Sequence, residues 1–76
     1  MYLYQFFHTK DGLPVKIEIA EIIGAMLQDN LITQKQAYDI AGECIDAYTD
    51  GKTIKQIQDG LNRMRQALQA ERTGNR

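Results

Sequence analysis

Thr33-Gln34-Lys35-Gln36 and Thr53-Ile54-Lys55-Gln56 carry the same device, a threonine followed three residues later by a glutamine. In such a capping box the hydroxyl accepts from the N–H three residues on, and the amide side chain returns to the threonine N–H. The orphan donors of a helix start are thus satisfied locally. The pair fixes two helix starts, and Gly51, just ahead of the second, supplies the left-handed exit a helix end needs. The spacing predicts helices over about residues 34–50 and 54–70, separated by a turn at Asp50-Gly51. An earlier helix is expected over about 20–29, with Ile19, Ile22, Ile23, Met26 and Leu27 on one side and Asp29-Asn30 as its stop. Residues 71–76 are polar, lack an apolar period, and are expected as a flexible tail. Gly24, Gly42 and Gly60 each sit inside a helix, where glycine costs about 1 kcal/mol relative to alanine. Either the helices approach closely there or the cost is tolerated.

The segment ahead of the helices reads differently. Residues 2–9 are aromatic-rich, and Val15-Lys16-Ile17-Glu18-Ile19 alternates apolar and charged, the period of a half-buried strand. With Asp11-Gly12 as a tight loop, Phe6 opposes Ile17 and Tyr4 opposes Ile19, so the apolar residues share one face. Leu3 and Phe7 then fall on the opposite face with Gln5, Lys16 and Glu18. The expected fold is α+β: an N-terminal β-hairpin over about 2–19 followed by three α-helices in a single small domain, 1–70. The competing reading begins a helix at Pro14, because Val15, Ile19, Ile22 and Met26 also keep a helical period. That gives an all-α three-helix bundle with an extended N-terminal strand.

Composition narrows the chemistry. Among 76 residues there are one cysteine (Cys44), one histidine (His8), no tryptophan and no serine. A structural zinc site needs about four Cys or His ligands, so no metal site is expected. A lone cysteine cannot form an internal disulfide, which suits a reducing, cytoplasmic compartment. Cys44 lies in the apolar stripe of its helix, where a free thiol is usually inert filler. Gly51-Lys52-Thr53 lacks the upstream glycine spacing of a phosphate loop. No stretch approaches the roughly 20 apolar residues of a membrane span. A catalytic site needs a positioned acid, base or nucleophile in a pocket; no enzyme, catalytic residue or cofactor is expected.

The net charge of -1 conceals a dipole. Residues 1–51 carry three lysines against eight acids, and residues 52–76 six basic residues against two acids. Asp39, Glu43, Asp46 and Asp50 recur at i, i+4, i+7 and i+11, stacking four carboxylates along one face of the second helix. This stripe lies opposite Ala37, Ile40, Ala41, Cys44 and Tyr48, with nothing basic interleaved to relieve it. Like charges at that spacing cost about 0.2–0.5 kcal/mol per pair in an isolated helix. Either the face is solvated or paired with Lys55 and Arg63, or it docks on a partner protein with a basic surface.

Other association surfaces are the aromatic segment, with Leu3 and Phe7 as candidate partner contacts, and the third helix. There Ile57, Leu61, Met64 and Leu68 form a narrow seam that either packs on the first two helices or joins two copies as a homodimer. Direct nucleic-acid binding is not expected, because Lys52, Lys55, Arg63 and Arg65 scatter around the third helix and form no stripe. A small DNA-binding regulator using this basic helix is the alternative. The expected function is a non-enzymatic inhibitor or adaptor that acts by docking. Its type is analogous to the small acidic proteins that phages and plasmids encode, for example those that block a nucleic-acid-binding host defence complex.

Overall fold

In the computed structural model the described residues are 15–74, and they form three helices: α1 (Ile17–Gln28), α2 (Gln34–Thr49) and α3 (Ile54–Gly74). No strand occurs among the described residues. The α+β expectation is therefore overturned: the second strand of the hairpin, Val15–Ile19, instead runs into the first turn of α1. The first strand, residues 2–9, lies outside the described residues, as does the extended N-terminal strand of the all-α alternative. Within the described residues the all-α arrangement holds.

The physical reason is the longer of two competing periods. A strand would bury Val15, Ile17 and Ile19 together, whereas with a helix starting at Ile17 the residues buried are Ile19, Ile23 and Met26, with Val15 just ahead of them, and Ile17 is left half exposed. Two alternations of apolar and charged residues lose to a face sustained over twelve residues. Helix α1 begins three residues earlier than the sequence suggests, and Lys16 at its N-cap gives no side-chain cap.

The starts of α2 and α3 follow the threonine–glutamine signal. The Thr33 N–H donates to Gln36 Oε1 at 2.8 Å and the Gln36 N–H donates to Thr33 Oγ1 at 3.2 Å. The same pair of bonds joins Thr53 and Gln56, at 2.9 and 3.1 Å. Both α1 and α2 end in the same way. The N–H of Asn30 donates to Leu27 O and that of Leu31 to Met26 O, while Gly51 and Lys52 donate to Tyr48 O and Ala47 O. These are Schellman closures, each turning on a left-handed residue, Asn30 at φ 60° and Gly51 at φ 101°. Helix α3 continues to Gly74, past the expected end at residue 70.

Lys16, at the start of α1, lies over the ring of Tyr48, at the end of α2. Arg65 and Arg72, in the second half of α3, both reach Asp29 at the end of α1. The helices therefore run up, down and up. The core joins Ile19, Ala20, Ile23 and Met26 of α1 to Ile57 and Leu61 of α3, with Val15 and Ile32 closing its two ends. From α2 only small side chains, Ala37, Ala41 and Cys44, are fully inside. That choice lets α2 lie close against α1, because helix separation is set by the side chains at the contact. A methyl added at Gly42 or Gly60 would meet open space, so close approach does not explain those glycines.

Candidate functional site

The face of α2 directed away from the bundle carries the acidic stripe. Asp39, Glu43, Asp46 and Asp50 are all exposed, while Ala37, Ala41 and Cys44 of the same helix are buried. A rise of about 1.5 Å per residue spreads the four carboxylates over about 16 Å of helix axis. The capping box at Thr33 and the Schellman turn at Gly51 hold the two ends of this helix, so the row is displayed on a helix closed at both ends.

Among the described residues only the first carboxylate meets a cation. Lys35 Nζ lies 3.8 Å from Asp39 Oδ2, one turn before it on the same helix, with both side chains largely in solvent. Such a pair contributes about 0.3–0.5 kcal/mol. Among the described residues no cation comes within ion-pair distance of Glu43, Asp46 or Asp50. Lys55 and Arg63, the sequence candidates for neutralising the stripe, do not reach it. Nor do the acids converge: among the described residues no group of three or more His, Cys, Asp or Glu side chains is placed to hold a metal ion.

The cations of α3 are used elsewhere. Arg72 Nη1 donates to the backbone carbonyl of Asp29 at 2.7 Å, and Arg65 Nη2 lies 3.5 Å from Asp29 Oδ2. The last turn of α1 has no basic residue of its own. Its exposed carbonyls and the negative end of its dipole are met by these two guanidiniums from a remote part of the chain. The Arg65 Nε atom is buried and has no hydrogen-bond partner among the described residues. Sequence reasoning missed this cluster; its one signal was an α1 end lacking a cation.

The expected dimer seam divides. Ile57 and Leu61 are in the core, and Leu68 is partly buried against it. Met64 alone is exposed, at 36%. Leu3 and Phe7 lie outside the described residues. Tyr48, expected on the apolar stripe, is 46% exposed, and its ring carries Lys16 Nζ 5.4 Å from the centroid. Beside it Val15, Lys16, Ile19, Cys44, Ile45 and Tyr48 line a groove of about 250 Å³. Burial, reinforced by the negative charge of Glu43, pushes the Cys44 thiol up to about 11, so it stays protonated near neutrality.

No helix among the described residues is long and apolar enough to cross a membrane. Comparisons with known protein families, curated proteins and solved structures find no match.

Proposed function

We propose that this chain is a non-enzymatic docking protein that presents the outer face of α2 to a basic surface on another protein, acting as an inhibitor or adaptor. The observation that carries this reading is the run Glu43, Asp46 and Asp50, which among the described residues meets no cation although α3 supplies several. Exposed carboxylates in line on a capped helix steer a positively charged partner over a distance set by salt.

The spacing indicates what kind of basic surface fits. One strand of duplex DNA carries a charge about every 3.4 Å of axis, and the stripe carries four over about 16 Å. It is sparser than a phosphate backbone, which favours individually placed Arg and Lys side chains over an unbroken polyelectrolyte track. A protein that normally holds nucleic acid offers such side chains, and occupying them would block it. This is how a small protein of the phage- or plasmid-encoded type would act on a host defence complex.

The test is affinity capture at two salt concentrations with the native chain and a Glu43→Lys/Asp46→Lys variant of unchanged circular dichroism. A basic partner should be held by the native chain, released as salt rises, and lost from the variant. Equal retention by both overturns the reading. Salt-sensitive binding of duplex DNA by the purified chain would replace it with the regulator alternative, in which α3 is the contact helix.

A further inference from the structure

We propose that Asp50-Gly51, at the end of α2, is a covalent modification site, where the Gly51 nitrogen attacks the Asp50 side chain and the backbone is rerouted through it as an isoaspartyl linkage. The inference rests on the chemistry of this dipeptide and is independent of the docking reading above. Asp-Gly is the pair that resists this reaction least, because glycine has no Cβ to crowd the approach of its own nitrogen. The chain holds three such pairs, Asp11-Gly12, Asp50-Gly51 and Asp59-Gly60. The first lies outside the described residues, and the fold treats the other two in opposite ways. The reaction needs no co-reactant but water. The Gly51 nitrogen bonds to Asp50 Cγ and gives up its proton, and the OH of the protonated carboxyl leaves with that proton as water, closing a cyclic imide. Water then adds back. Opening at Cγ restores aspartate, whereas opening at the main-chain carbonyl leaves Gly51 attached through Cγ and frees that carbonyl as a carboxylate. Mass and charge are unchanged, but one methylene has entered the main chain.

At Asp50-Gly51 the ring has room to close. Both residues are exposed, Gly51 stands at φ 101°, and nothing lies within 4 Å of the place its Cβ would take. Asp50 is the C-cap of α2, so only the end of that helix has to open to bring the nitrogen onto Cγ. The bonds to be released are those from the Gly51 N–H to Tyr48 O at 3.1 Å and from the Lys52 N–H to Ala47 O at 3.0 Å. Helix ends open for a small fraction of the global unfolding free energy. Asp59-Gly60 sits inside α3, between the buried Ile57 and Leu61. Its N–H groups belong to a helical ladder that continues on both sides, and turning Asp59 onto the Gly60 nitrogen would unwind α3 across the core. The product at Asp50 has two structural consequences. The donors of Gly51 and Lys52 stand one methylene farther along the chain, so the Schellman closure of α2 is lost. The carboxylate now sits directly on Cα, out of the row formed with Asp39, Glu43 and Asp46.

Peptide mapping by mass spectrometry, with electron-based fragmentation to tell the two linkages apart, decides the matter on the full-length chain. The chain is aged for several weeks at neutral pH, once folded and once unfolded in guanidinium chloride. In the folded chain isoaspartate should form at Asp50 about tenfold or more faster than at Asp59, and in the unfolded chain the two positions should convert at similar rates. Equal rates in the folded chain, or no product at Asp50 there, overturns the proposal. The same preference persisting in the unfolded chain also overturns it, because the fold would then not be what selects the site. Asp50→Glu, which keeps a carboxylate one methylene farther out and closes the ring poorly, gives a second readout. It should abolish the rearranged linkage at this position and leave the yield at Asp59 unchanged; an undiminished yield at position 50 overturns the proposal. Should that variant not fold, the two rates in the unsubstituted chain decide alone.

Discussion

Helix α1 and the α2–α3 pair are built on opposite principles. Thr33, Gly51 and Thr53 start and stop α2 and start α3, and every bond they make stays within five residues. Helix α1 has no capping side chain at Lys16, and its first turn is steadied by Tyr48 from the end of α2. Its last turn closes through Asn30 but owes its countercharge to Arg65 and Arg72, 36 and 43 residues away. One region is specified by its neighbours along the chain, the other by its neighbours in space.

If that contrast is right, α1 exists because of what it buries. Ile23→Ala, at a fully buried position, should cost about 2–5 kcal/mol in urea unfolding, enough to leave so small a domain largely unfolded. A loss below 1 kcal/mol would mean that α1 does not depend on its core face. The local devices should count for less: Thr53→Ala, which removes the hydroxyl bonded to the Gln56 N–H, should cost about 1 kcal/mol. The remote device should count least. Arg72→Ala removes one exposed hydrogen bond to the Asp29 carbonyl and should lower stability by about 0.5 kcal/mol. That loss should survive in high salt better than one from the Arg65–Asp29 ion pair, because a bond to a neutral carbonyl is less screened. An Arg72 effect larger than that of Thr53 would reverse the ranking of local over remote.

The same contrast explains what could be read in advance. The bounds of α2 and the start of α3 were legible because a side chain three residues away caps each start and a glycine turns the end. The start of α1 was misassigned because Val15–Ile19 satisfies two periods at once, and only the continuation through Ile23 and Met26 discriminates. The acidic stripe was legible as a face of α2. The fate of the α3 cations was not, since nothing near Arg65 or Arg72 in the sequence points to Asp29. Ile57 and Leu61 fitted both a core and a dimer seam, a choice that depends on where α1 lies.

Three helices of 12, 16 and 21 residues cannot finish flush. The excess of α3 over α1 amounts to about 13 Å at a rise of 1.5 Å per residue. Among the described residues that extra length carries Arg65 and Arg72 to the last turn of α1, so the longest helix serves as a splint for the shortest.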